Sequence, residues 1–222
     1  MLSGAPGDWH SALALFAYAA ALSYAYVALD AAAGTLILFG AVQATMIIAG
    51  LIARERLDAR QIVGLAVALA GLVFLMLPGL SAPPLFGSTL MLASGIAWAI
   101  YSLRGRSTLA PIPATAENFA CAAPMTIVLS AVTLPWAELD ATGAGYAFVS
   151  GVLASGAGYV AWYAVLPKMA ATSAATIQLS VPVITAFGAV TLLDEIIALK
   201  LVIASIAILG GIALVLLTRR KC

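Results

Sequence analysis

The sequence predicts an all-α integral membrane protein of about eight transmembrane helices, and three observations predict it. Hydrophobic residues make up 64% of the 222 and charged residues only 9%, whereas a soluble domain carries roughly 25% charged residues. The apolar residues fall into eight runs, each near the ~20 residues that cross about 30 Å of hydrocarbon. None of these runs alternates with period two, so the backbone polar groups are best satisfied inside helices rather than in a barrel. A mean hydropathy of +1.12 agrees.

The expected spans are roughly 11–29, 33–53, 60–78, 86–103, 115–136, 143–166, 172–193 and 198–218. No Lys or Arg precedes the first, so it reads as a span and not as a signal peptide. The second lies between a turn at 30–33 and the charged turn 54–59, and the third ends at Pro78, before the Pro83-Pro84 pair. Arg104 closes the fourth. Glu117 and Asn118 stand near the start of the fifth, where a carboxylate meets the positive end of a helix. The sixth follows the acidic loop Glu138–Asp140, the seventh carries Pro182 in its middle, and the eighth stops before Arg219, Arg220 and Lys221. None of the short turns leaves room for a soluble domain.

Residues 33–77 resemble residues 174–217 at an offset of 140 without a gap. At that offset Glu55 falls on Glu195, Arg60 on Lys200, Thr45 on Thr185 and Gly71 on Gly211. Each copy is an apolar run, a short charged turn and a second apolar run. The second copy starts five helices after the first, an odd number, so the two copies are inverted across the membrane. Inverted repeats of this kind mark secondary transporters whose site lies near the bilayer midplane.

Nine of the ten basic residues fall on one side of an eight-span alternation, and only Lys200 falls on the other. That side is expected to be cytoplasmic, with both termini inside. The net charge of +1 implies no attraction to nucleic acid.

Catalysis finds little support. The one histidine, His10, precedes the first span, which removes a Ser–His dyad and a two-histidine zinc motif within the membrane. The sequence around Ser155 lacks the pattern of a nucleophile elbow, and no phosphate-binding loop is present. Cys121 and Cys222 have neither disulfide context nor metal-ligand spacing. The expectation is no enzyme, no cofactor and no metal.

Polar residues inside apolar spans are the candidates for binding. Gln43 and Gln178 are amides that must find a partner, either a neighbouring helix or a substrate in a wet cavity, and both readings stand. Pro182 cannot bond the carbonyl of Gln178 and is expected to kink its helix there, or else to be tolerated for packing. Trp98 and Tyr159 lie deep enough for a pocket, whereas Tyr101, Trp136, Trp162 and Tyr163 also suit an interfacial belt. An aromatic wall with few charges suits a cation or an amphipathic metabolite. Glu55 and Glu195 either couple protons or position a substrate, or cap free N–H groups at helix turns, and the structural role is the expectation. Small residues four apart give close-packing faces at Ala147, Gly151 and Ser155, at Gly64 and Ala68, and at Ala207 and Gly211. The faces in 60–78 and 198–218 are expected to serve as scaffold or as a homodimer contact.

These residues resemble the drug/metabolite transporter superfamily, EamA type. The resemblance is carried by Glu55-Arg56-Leu57 before a helix with Ala70-Gly71, and by Pro182, Asp194-Glu195 and Gly210-Gly211 in the second copy. Trp98-Ala99 with Arg104, Tyr159 with Trp162-Tyr163-Ala164, and Tyr24 fit as well. Val42 stands where the first copy of the family pattern has proline. The family usually has ten spans as two sets of five. The resemblance therefore implies an incomplete first repeat over residues 1–80 (three helices) and a complete second repeat over 81–222 (five helices). By analogy with residues 85–142, roughly 58 residues are expected to precede Met1, about two spans. The resemblance further implies a bacterial inner-membrane secondary transporter that exports a small metabolite, such as an amino acid, by alternating access. Tyr24, Gln43, Trp98, Tyr159, Tyr163, Gln178 and Pro182 would contact the substrate. The alternative is a truncated or partner-dependent membrane protein without transport of its own.

Overall fold

A computed structural model describes residues 8–29, 31–76, 84–136, 140–184 and 199–217. Among them every regular element is helical. The helices are α1 (Trp9–Ala28), α2 (Ala31–Ile52), α3 (Ala59–Met76), α4 (Leu85–Gly105), α5 (Pro111–Thr133), α6 (Ala141–Val149), α7 (Gly158–Val165), α8 (Ala171–Gln178) and α9 (Leu199–Leu217). A π-helical stretch, Ser150–Ala157, joins α6 to α7, so Ala141–Lys168 is one apolar rod of 28 residues. Among the described residues five helices are long and apolar enough to span a membrane, and three shorter apolar ones, Ala59–Leu75, Ala171–Ile184 and Val202–Leu217, fall within the remaining expected spans. The protein is an all-α membrane protein.

Local chemistry explains the ends. Asp8 caps α1 by accepting from the N–H of Ser11 at 2.6 Å. Asp58 begins α3, and Gln61 reaches back to accept its N–H at 3.1 Å, half of a capping box. Pro111 opens α5, where its missing N–H costs nothing. Asp140 caps α6 through the N–H of Gly143.

The chain forms two compact units, residues 1–20 with 97–169, and residues 21–96 with 170–222. In the first unit, Asp8 and Arg104 form an ion pair between the start of α1 and the end of α4. Arg104 Nε also donates to Ser11 Oγ at 3.0 Å. Partial burial works to raise the Asp8 carboxyl, but the Ser11 hydrogen bonds and the Arg104 guanidinium hold it below the usual carboxylate range.

The second unit contains both copies of the repeat, paired antiparallel. The start of α3 meets the end of α9, where Gln61 Nε2 donates to the Val215 carbonyl at 3.3 Å. At the other end Lys200 Nζ donates to the Leu75 carbonyl and lies 5.8 Å from the Phe74 ring centroid. Leu75 and Val215 are 140-offset mates, and Gln61 stands one residue from the mate of Lys200. Between these ends the backbones approach closely. A Cβ on Gly211 would strike the Gly64 carbonyl and lie 2.8 Å from the Ala68 nitrogen. A Cβ on Gly71 would lie 3.2 Å from the Ala204 carbonyl and 2.9 Å from Ile208. Those two contacts exchange under the same offset, so the inverted repeat is visible as a local two-fold relationship. Phe39, Leu72, Leu179, Val183 and Ile208 fill the core around it.

The small faces of 60–78 and 198–218 are therefore occupied by each other within the chain. The face expected from Ala147, Gly151 and Ser155 behaves differently. No atom lies within 4 Å of where a Gly151 Cβ would stand. Gly151 and Ser155 sit in the π-helical stretch, where hydrogen bonds run i to i+5.

Candidate functional site

The first unit gathers six aromatic rings from α1, α4, α5 and the 141–165 rod. Trp98 is the hub. Its ring lies 4.8 Å from Tyr18, 5.1 Å from Tyr159 and 5.8 Å from Tyr101, centroid to centroid. Phe119 adds a face 5.6 Å from Tyr159. Tyr101 and Tyr163 stack at 4.7 Å and 27°. The Tyr163 hydroxyl donates to the Tyr101 carbonyl at 3.1 Å, and Trp162 Nε1 donates to Ser102 Oγ at 3.1 Å. Gly105 lets the Tyr163 ring come this close, because a Cβ there would strike the ring.

Helical spacing explains the gathering. Trp98 and Tyr101 are three apart on α4, and Tyr159 and Tyr163 are four apart, so each pair shares a helix face. Offset and tilted contacts of this kind stabilise by about 0.5–1.5 kcal/mol per pair beyond burial. Trp98 and Tyr159 remain half-buried, whereas Tyr101 and Tyr163 are fully enclosed. Tyr18 and Phe119 are half-buried as well, so four of the six rings keep part of their surface open. The Tyr101 hydroxyl, Thr115 Oγ1 and Asn118 Oδ1 are buried without a hydrogen-bond partner among the described residues. The unit also carries an open apolar groove of about 490 Å³ bordered by Trp9, Phe16, Pro124, Met125 and Leu129.

Sequence reasoning placed Tyr101 with the belt residues, but the structure buries it completely. It also passed over Tyr18. Tyr18 and Tyr24 are six residues apart on α1, roughly 240° around the helix at 100° per residue. Only Tyr18 joins the rings, and Tyr24 belongs to the second unit with 39% of its surface exposed. Composition could not choose between them. The phase relative to Trp98 decides, and only tertiary packing supplies it.

In the second unit the polar candidates lie on α2 and α8. Helix α8 breaks at Leu179, three residues before Pro182. Its last N–H, on Leu179, bonds the Thr176 carbonyl at 3.1 Å. The Ala175 carbonyl, deprived of its i+4 donor, accepts from Gln43 Nε2 at 2.6 Å instead. Gln43 is 2% exposed, and its Oε1 has no partner among the described residues. Gln178 Nε2 contacts Met46 Sδ and the Ala174 carbonyl, each at 3.3 Å, and Pro182 is buried just beyond. Both amides are engaged by neighbouring helix groups.

Glu55 sits at the end of α2, yet it caps α8. Its carboxylate accepts from the N–H of Ala171 at 2.9 Å, the N–H of Thr172 at 3.3 Å and the Thr172 hydroxyl at 3.1 Å. Glu195 lies outside the described residues.

Comparison with known proteins agrees with the fold. The chain is 50% identical over 215 residues to an uncharacterized protein of Pseudomonas aeruginosa, covering 97% of this chain and 75% of that one. It is 28% identical over 177 residues to an uncharacterized transporter of Archaeoglobus fulgidus, covering 78% of this chain and 63% of that one. A protein crystal structure matches with a TM-score of 0.81 at 20% identity, over 96% of this chain and 77% of the other. The EamA-like transporter family matches residues 85–217, more than half of the chain and nearly all of the second repeat. The chain belongs to the EamA-like transporter family.

Proposed function

We propose that this chain acts as a secondary transporter that exports a small metabolite, such as an amino acid or a related compound, by alternating access of its inverted repeats. The observation that carries this is the two-fold pairing of α2–α3 with α8–α9, because it supplies two symmetric halves that can exchange roles across a bilayer. Family membership supports the reading, and the Archaeoglobus fulgidus relative is itself named a transporter.

The half-buried Trp98 and Tyr159 are the proposed substrate contacts, suited to a flat or cationic group. Gln178, beside the break ahead of Pro182, is proposed as a polar contact. The basic bias supports an inner-membrane location with both termini cytoplasmic. A homodimer through 60–78 and 198–218 would use the outward faces of those helices, such as Val63, Val67, Ile203 and Ile206, because the small faces are already paired.

The test is efflux of a radiolabelled amino-acid panel from loaded cells expressing the protein. Trp98→Ala and Gln178→Ala should each lower efflux about tenfold while the protein still inserts into the membrane. Unchanged efflux in both would remove these residues from the site. No efflux by the unaltered chain would favour the second reading, a membrane protein without transport of its own.

A further inference from the structure

The start of α8 has no cap of its own. Ala170 occupies the N-cap position and offers no side-chain acceptor, although the first turn of any helix leaves N–H groups unsatisfied. The acceptor comes from Glu55, 116 residues earlier in the chain. Three further features of α2 serve that contact. Its end is a Schellman motif, with the N–H of Glu55 bonding the Gly50 carbonyl at 2.8 Å and the N–H of Arg54 bonding the Leu51 carbonyl at 2.9 Å. The motif requires a left-handed residue, and Arg54 takes it at φ 62°, the one non-glycine residue with positive φ among those described. Gly50 clears the space, since a Cβ there would lie 2.8 Å from Glu55 Oε2 and 3.0 Å from Thr172 Cγ2.

We propose that Glu55 is a latch that holds the end of α2 to the start of α8 and lets go reversibly, so that α8 opens at this end while its deeper contacts stay closed. A cap supplied by another helix differs from a cap within the chain in one respect: it exists only while the two helices stay together. The left-handed Arg54 is the complementary element. A bulky residue in this region costs free energy, and the cost is offset while the Glu55 bonds are made. Releasing the bonds removes the reason for the turn to persist. One and two helical turns beyond the cap, the Gln43 bond to Ala175 and the Gln178 contact with Met46 hold the pair deeper down. The latch therefore acts at one end of an otherwise fastened pair. The inference rests on the transport reading for its use, because alternating access needs helix ends that part. Its test does not involve flux, so failure of one leaves the other standing.

The experiment measures thiol reactivity with N-ethylmaleimide in detergent solution, with Cys121 and Cys222 replaced by alanine. One reporter is Ala171→Cys at the latch and the other is Ala175→Cys at the Gln43 contact; both positions are fully buried. Adding Glu55→Gln should speed labelling at the first reporter about tenfold, as expected for loss of a helix cap, and leave the second unchanged. If Glu55→Gln yields no folded protein, Thr172→Val carries the same test, with about a threefold rise from one lost hydrogen bond. A rise at both reporters would mean that Glu55 is a static brace whose loss melts the pair, and would overturn the proposal. No rise at either would overturn it too.

Discussion

Gln43 Nε2 donates to the Ala175 carbonyl at 2.6 Å, joining residues 132 positions apart in the chain. The bond replaces one that α8 gives up when the Leu179 N–H turns to Thr176. A broken helix inside a membrane exposes backbone groups that lipid cannot satisfy. Here an amide on the neighbouring helix takes up the one at Ala175.

Replacing Gln43 should therefore test a backbone deficit rather than a simple contact. Gln43→Met keeps the volume but leaves the Ala175 carbonyl unsatisfied, and is expected to lower stability by about 1–2 kcal/mol. Gln43→Glu sets a carboxylate against that carbonyl and should lower it further. Thermal unfolding in detergent should rank the three as Gln, Met, Glu from most to least stable. Met equal to Gln would mean the bond contributes nothing.

Neighbouring glycines should behave in opposite ways. Gly211→Ala drives a methyl into the backbone of Gly64 and Ala68, which cannot move aside without parting α3 from α9. The expected loss is about 1–3 kcal/mol. Gly210 has no atom within 4 Å of its missing Cβ, so Gly210→Ala should raise stability by about 0.5–1 kcal/mol through helix propensity. The same unfolding measurement should show the two variants moving apart.

Arg54→Gly relieves the left-handed strain at the end of α2. Stability should rise by about 1 kcal/mol, because glycine adopts this conformation without a Cβ clash. A fall in the unfolding temperature would show that the arginine side chain contributes more than its backbone costs.

The Asp8–Arg104 pair should give an acid-dependent stability. The Asp8 carboxyl is held below its ordinary value in the folded protein, so its contribution is present above about pH 4, the unfolded range, and is lost as pH falls through the lower folded value. Both side chains are partly exposed, at 38% and 45%, which limits the contribution to roughly 1 kcal/mol or less. Asp8→Asn should unfold at a lower temperature than the unaltered protein at pH 6, and the difference should shrink as pH falls below about 4. A constant difference would remove the pair as its source.

The eight spans were legible because lipid demands one thing of a crossing segment, a continuous apolar stretch of helical length. The π-helical segment was not. Nothing in Ser150–Ala157 distinguishes it from the glycine-rich helix positions at Gly210 and Gly211. The sequence set Trp98 and Tyr159 apart as the deeper aromatics, whereas the structure leaves them half-buried and encloses Tyr101 and Tyr163; that enclosure and the arrival of Tyr18 depend on helix phase between elements far apart in sequence.

By itself the sequence determined the class, the number of apolar spans and the inverted repeat. Those follow from composition and from a charge and glycine pattern that survives reading in one dimension. Tertiary structure alone decided which small face meets which, as with Gly211 on Gly64, and which helix each polar group serves. Glu55 stands at the end of one helix and caps another, and Gln43 satisfies a carbonyl on α8. The physical reason is the same in both cases. A buried hydrogen bond requires two groups within about 3 Å, and that closeness is set by packing between helices, which sequence order does not encode.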